Sequence, residues 1–191
     1  MLSNESDEEI IVLYKNGDEE AFKVLITRYT TPLYNFTARL TNKNEASDLV
    51  QEIFIKAWKN IARFDLRKAS FKTWIFIIAR NAVTDFLRKK KSLLFSDIKN
   101  EDDEDIDSLA EKIPDENLLP EEALQKLEDS IFLNKILAKL RPGYQEVLIL
   151  HYQEEMTFEE IGRILNKPLN TVKSIHRRAI IEMRRMLENY K

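Results

Sequence analysis

From Ala46 onward, Leu49, Val50, Ile53, Phe54, Ala57, Trp58 and Ile61 recur at alternating steps of three and one, the period of one apolar helix face. A strand, whose side chains alternate at every second residue, cannot gather that set on one side. Three glycines and five prolines in 191 residues leave few places for tight turns, which opposes a β fold and suits long helices joined by a few loops. The fold class expected is all-α.

Similar signals extend the pattern in both directions. Asp7, Glu8 and Glu9 favour a helix start after Ser6, and Asn16-Gly17 marks a stop before a second helix beginning near Asp18. Pro32 is expected to kink or interrupt that second helix. The stretch Phe64 to Ser70 has no period and reads as a loop, after which Ile75, Ile78, Ala79, Ala82 and Phe86 define another buried face, closed by Lys89, Lys90 and Lys91. Helical pattern resumes after Pro120 and runs to Leu140, where Pro142-Gly143 breaks it before a short helix.

Several classes are excluded or disfavoured. The chain has no cysteine, so disulfides, thiolate catalysis and zinc-finger ligation are ruled out. Its longest apolar run, Trp74 to Ala79, is too short to cross a bilayer, and the acidic start is unlike a signal peptide, so no membrane insertion and a cytoplasmic location are expected. His151 and His176 fall on separate predicted helices with no nucleophile or paired carboxylates at catalytic spacing, so enzyme activity is not expected.

The net charge of -3 hides an uneven distribution. Residues 1–92 hold 16 Lys/Arg against 12 Asp/Glu, residues 93–130 hold 3 against 14, and residues 131–191 hold 11 against 7. Two basic ends flank an acidic connector, a layout that suits nucleic-acid contacts at both ends. The connector reads as a mostly unfolded, flexible acidic linker over 93–120, between small helical domains at 1–92 and 121–191. Asp103, Asp105 and Asp107 alternate as in a calcium loop, but Ser108 stands where that loop needs glycine and no correctly spaced glutamate follows, so neither a metal nor a cofactor is expected.

The clearest local motif lies in the C-terminal domain. Thr157 and Glu160 fit a capping box that opens a helix ending near Asn166-Lys167-Pro168, and Asn170 fits the cap of the next, running to about Leu187. Two short helices so joined form a helix-turn-helix, whose second helix enters the major groove N-terminus first. Asn170, Thr171, Lys173, Ser174, Arg177 and Arg178 are the candidate DNA contacts. Val172, Ile175, Ala179 and Met183 fall on the packed side, and Gly162 is small enough to let the helices approach. A three-helix bundle with a solvated basic face would show the same pattern.

Two long segments carry a family resemblance. AFKVLITRYTTPLYNFTARLTNKNEASDLVQEIFIKAWKNIARFD followed by FKTWIFIIARNAVTDFLRKKK resembles the second conserved region of the extracytoplasmic-function (group IV) sigma factors of bacterial RNA polymerase. LRPGYQEVLILHYQEEMTFEEIGRIL followed by NTVKSIHRRA resembles their fourth region. The resemblance implies binding to core RNA polymerase and promoter DNA, and an anti-sigma factor as a further partner. It assigns DLVQEIF to docking on the polymerase, where Asp48, Gln51, Glu52, Ile55 and Lys56 fall opposite the buried Leu49, Val50, Ile53 and Phe54. It assigns the loop Arg63 to Ser70 and the following helix to the minus-ten element.

Physical chemistry agrees with that last assignment, because holding a separated strand needs a basic groove and a surface for unstacked bases. Arg63, Arg67, Lys68, Lys72, Arg80 and Arg88 supply charge near Phe64, Phe71 and Trp74, with Asn81 and Asp85 one turn apart. The plainer alternative is that Phe71 and Trp74 only fill the core. The recognition helix departs from the common family pattern of lysine, serine, arginine and an aliphatic residue, since Lys173-Ser174 is followed by Ile175-His176. That leaves His176 either on the DNA face or over the core. Gln145 stands where the family often has arginine, and Arg141 where it often has proline. Two other classes fit the motifs: a two-domain regulator that binds duplex DNA without polymerase, and an adaptor whose helix-turn-helix binds no specific DNA.

Overall fold

The structure, a computed structural model, describes residues 5–94 and 135–188; among them every regular element is helical. The chain divides into two compact units, one centred on the N-terminal helices and one on the C-terminal helices. The acidic connector, its Asp103 to Asp107 alternation and most of the helix expected after Pro120 lie outside the described residues.

Four helices build the first unit: α1 (Asp7–Lys15), α2 (Glu19–Leu40), α3 (Lys43–Asn60) and α4 (Phe71–Leu94). The ends follow local chemistry. Ser6 Oγ accepts from the Glu9 amide while Glu9 accepts from the Ser6 amide at 2.8 Å, satisfying two amides that the first turn of α1 leaves unpaired. Asp18 caps α2 by accepting from the Glu20 amide and Asn42 caps α3 by accepting from the Asn44 and Glu45 amides, and Gly17 turns the chain between α1 and α2 with φ +105°, which a side chain would resist.

Helix α2 packs on α1, α3 and α4, and α3 on α4. Leu25, Leu33 and Phe36 of α2, Ile53 of α3 and Ile75 and Phe76 of α4 are all fully buried, with Phe36 edge-on to Phe76 at 5.4 Å. Pro32 does not interrupt α2, which runs unbroken from Glu19 to Leu40. Proline removes one amide donor, but Tyr29, Leu33 and Phe36 on either side of it are buried, and tertiary packing rather than propensity carries a helix of this length. On α4 the buried face is Ile75, Phe76, Ala79, Ala82 and Val83; Ile78 and Phe86, expected inside, are half-exposed edges of that stripe. Helix α1 is held by buried Ile10 and Ile11 and by Asp7, whose carboxylate pairs with Arg28 and accepts from the Tyr29 hydroxyl. Burial, with that bond to the Asp7 carboxylate, pushes the Tyr29 phenol up and keeps it a donor.

The second unit contains α5 (Pro142–Leu148), a π-helical turn over Ile149–Gln153, α6 (Phe158–Leu165) and α7 (Leu169–Glu188). Pro142 opens α5, where its missing amide costs nothing. Gln145 donates to the Leu140 carbonyl at 2.7 Å, tying α5 to the turn before it. Helix α5 packs on α7, and Val147, Leu150, Ile161, Val172 and Ala179 are fully buried.

The expected capping box closes α6: Glu160 accepts from the Thr157 amide at 2.9 Å and donates its own amide to Thr157 Oγ1 at 3.3 Å. Thr157→Ala should cost about 1 kcal/mol of this unit's stability, measured as faster amide exchange in α6. The next helix begins two residues earlier than expected. The Val172 amide donates to the Pro168 carbonyl at 3.1 Å, so Asn170 lies inside the first turn and does not cap it. Gly162 is required less for helix approach than for the turn itself, because a Cβ there would sit 2.9 Å from the Lys167 carbonyl oxygen.

Candidate nucleic-acid interface

Three exposed surfaces gather the candidate residues. On α3, Asp48, Gln51, Glu52 and Ile55 are exposed and Lys56 half-buried, opposite Leu49, Val50, Ile53 and Phe54. Lys56 pairs with Glu52 at 2.6 Å across one turn. In the open solvent such a pair contributes little and is readily exchanged for a partner's charge. Trp58 corrects the expectation that it belongs to the core face: it is 56% exposed, beside Ile55 at 52%. It lies three positions from Ile55 and seven from Gln51, so the three share one stripe. The missed signal is that stripe, which the step-of-one grouping with Ala57 obscured.

The second surface begins at a 3-10 turn over Ile61–Arg63 and runs through the expected loop into α4. Phe71 is fully buried, as the plainer alternative had it, and Phe64 is nearly so. Trp74 is only half-buried, its ring 4.7 Å from Phe64 and 5.6 Å from Phe71, a ledge resting on two buried rings. Ser70 accepts from the Thr73 amide at 3.2 Å and so caps α4 directly beneath that ledge.

Arg63, Arg67 and Lys68 are exposed around the loop, and Lys72 is half-buried. Arg67 forks onto Asp65 with both nitrogens at 3.0 Å; these bonds hold the Asp65 carboxyl down to about 2. Further along α4, Asn81 is exposed, and Asp85 holds Arg88 at 3.0 Å. Arg80 is half-buried, and its Nε is buried with no acceptor among the described residues. The surface therefore keeps the Arg67 and Arg88 charges paired with its own carboxylates and leaves Arg63 and Lys68 exposed beside an aromatic ledge.

The third surface is the first half of α7. Asn170, Lys173, Ser174 and Arg177 follow the helical repeat along one stripe, flanked by Thr171 and Arg178; Asn170, Lys173 and Ser174 are exposed and the other three half-buried. Val172, Ile175, Ala179 and Met183 are buried on the opposite side. His176 joins them at 5% exposure, which settles it as a core residue. Its Nε2 lies 2.9 Å from the Tyr152 hydroxyl, and its ring is edge-on to His151 at 5.2 Å and to Phe158 at 5.1 Å. Burial, and secondarily the nearby His151, lowers the His176 pKa to about 4. The two histidines, separate in sequence, thus meet in one aromatic cluster on the packed side of α7.

Comparison with known proteins finds two conserved regions in the chain. Residues 25–93 match the family described as sigma-70 region 2, and residues 136–185 match sigma-70 region 4. Both regions in one chain define a sigma-70-type initiation subunit of bacterial RNA polymerase. The chain is 38% identical over 165 residues to the ECF RNA polymerase sigma factor SigW of Bacillus subtilis, covering 85% of this chain and 87% of that one. It is 31% identical over 168 residues to the RNA polymerase sigma factor YlaC of the same organism, covering 87% and 91%. It belongs to the extracytoplasmic-function sigma factors.

Among solved structures, CnrH in complex with the cytosolic domain of CnrY has the same fold, with TM-score 0.68 and 20% identity over 97% of this chain and 99% of that one. The sigma factor RpoE bound to the anti-sigma factor NepR from Bartonella quintana gives 0.63 and 24% over 87% and 96%. As a sigma factor the chain directs RNA polymerase in transcription initiation, and the duplex-only regulator and the adaptor are set aside. No described helix is long and apolar enough to cross a membrane.

Proposed function

We propose that the three surfaces divide the work of initiation. The α3 stripe of Asp48, Gln51, Glu52, Ile55 and Lys56 docks on core polymerase, and Trp58 extends it. The loop with Arg63, Arg67 and Lys68, together with Lys72, Trp74, Arg80, Asn81, Asp85 and Arg88 of α4, captures the opened minus-ten strand, with Phe64 supporting Trp74 from below. Asn170, Thr171, Lys173, Ser174, Arg177 and Arg178 read the minus-thirty-five duplex from the major groove.

The half-exposed Trp74 carries this reading. A half-exposed ring backed by Phe64 and Phe71, on a surface that carries the exposed Arg63 and Lys68, suits an unstacked base, which a duplex-only binder never meets. The phosphodiester chemistry stays with the polymerase, and this chain contributes promoter choice and strand opening. The domain limits at residues 92 and 120, a place in the cytoplasm beside the polymerase and an anti-sigma partner follow from the same reading; the fold neighbours bound to CnrY and NepR support the last.

Permanganate reactivity of promoter thymines tests it. Reactivity should require both this chain and core enzyme and fall at least tenfold in Trp74→Ala, while minus-thirty-five binding is unchanged. Reactivity equal to wild type in that variant would remove Trp74 from strand capture.

A further inference from the structure

The loop assigned to the minus-ten strand is held from outside by a residue in none of the three surfaces. Lys15, the last residue of α1, donates from Nζ to the Phe64 carbonyl oxygen at 2.6 Å across 49 positions of sequence. Phe64 is the loop's root: its amide bonds back to Ile61 at 3.1 Å, its ring is buried against Trp74, and its backbone is extended at ψ 131°. Beyond it, Arg67 and Lys68 are exposed and the chain is organised by the Asp65 turn, where the Lys68 amide donates to the Asp65 carbonyl at 3.0 Å. At the far end Ser70 fixes the start of α4. Lys15 therefore fixes the near end.

The other end of this strut is firm. Ile10 and Ile11 bury α1 against its unit, Asp7 ties it to Arg28 and Tyr29 of α2, and Tyr29 stands edge-on to Phe71 at 5.3 Å. A lysine at the end of a helix is ordinarily explained by the helix dipole. Here its ammonium instead makes a charge-assisted bond to a carbonyl of the DNA-facing loop. Lys15 is itself exposed, so removing its amine leaves the core intact.

We propose that Lys15 is a positioning residue for minus-ten recognition, setting the path of the loop through the Phe64 carbonyl. The proposal rests on the assignment of that loop to the minus-ten strand. It predicts that the loop's base selectivity, rather than overall affinity, depends on the Lys15 donor.

The experiment compares wild type, Lys15→Met and Lys15→Arg as reconstituted holoenzymes transcribing a promoter library randomised across the minus-ten element, with transcripts sequenced. Lys15→Met should lower the preference for the best element over single mismatches about fivefold, as loss of one charge-assisted bond allows. Lys15→Arg should restore it, with polymerase affinity, melting temperature and the salt dependence of DNA binding unchanged in both. Unaltered selectivity in Lys15→Met would overturn the proposal. So would a sequence-independent loss with the salt slope reduced by about one, which marks a phosphate contact, or a fall in selectivity only in step with thermal stability. A loop graft over Asn60 to Ser70 runs in parallel: if the graft leaves the selected element unchanged, the assignment of the loop fails first. If the graft changes it and Lys15→Met does not, the strut alone is wrong.

Discussion

Trp58→Ala should weaken binding to core RNA polymerase by about 30-fold, the equivalent of roughly 2 kcal/mol, while leaving the melting temperature of the free chain in place. Exposed tryptophan beside exposed isoleucine is costly for a lone protein and is the composition of an interface centre. Trp58 and Ile55 are each more than half exposed on a helix whose opposite face is fully buried, so the side chain contributes to contact and not to folding. The polar neighbours have a different share. Gln51 and Glu52 face solvent, and Glu52 already has a partner in Lys56, so their double replacement by alanine should act mainly by removing orientation and charge complementarity.

The control is Ile53→Ala on the buried side of the same helix, expected to lose about 2–5 kcal/mol of stability and to reduce polymerase binding only through unfolding. Titration of labelled chain with core enzyme, alongside thermal melts, separates the two effects. Wild-type affinity in Trp58→Ala would mean that the exposed ring serves some other contact.

What could be read in advance was local. The Ser6-Glu9 and Thr157-Glu160 boxes, the Asn16-Gly17 stop and the apolar stripe of α7 each depend on residues close together along the chain, and each stands as expected. Pro32 does not break α2 because burial of its neighbours outweighs the missing hydrogen bond. Trp58 misled because a step-of-one pattern includes both edges of a buried stripe, and only packing decides which edge is covered. Asn170 has the right chemistry for a cap but stands two residues too late, after Pro168 has already supplied the first carbonyl.

Features that join distant segments were out of reach. Lys15 meets Phe64 because α1 is laid against α2 by Asp7, a contact with no local pattern. The histidines meet because a π-helical turn separates α5 from α6: the Glu154 amide reaches back to the Ile149 carbonyl at 3.2 Å, taking one residue more than an α turn, and the Tyr152 hydroxyl ends 2.9 Å from His176. Helical periodicity read through Ile149–Gln153 predicts a different face for both side chains.

That cluster makes the C-terminal unit sensitive to acid. The His176 pKa is about 4 in the folded chain against an ordinary 6.5, so between those values the unfolded chain binds a proton that the folded one refuses. Stability therefore rises with pH across this window. The contribution is absent above about pH 7, grows as pH falls through 6.5, and reaches about 3 kcal/mol of destabilisation below pH 4. The groups facing His176 do not offset it: the Tyr152 hydroxyl is held protonated by burial and is neutral, and the His151 ring beside it acts in the same direction as burial.

Carboxylates elsewhere also titrate below pH 5, so the measurement must be a difference. Gln at position 176 keeps a hydrogen-bonding group toward Tyr152 without a proton to gain. Amide exchange in α7 reads the C-terminal unit directly, whereas tryptophan fluorescence would not, since Trp58 and Trp74 both lie in the other unit. In the full chain the protection of α7 should exceed that of His176→Gln at pH 7.5 and lose about 3 kcal/mol relative to it by pH 4. A stability difference between the two chains that stays constant with pH would mean that His176 takes up its proton without leaving the cluster, and that the recognition helix owes its footing to the other buried residues of its core face.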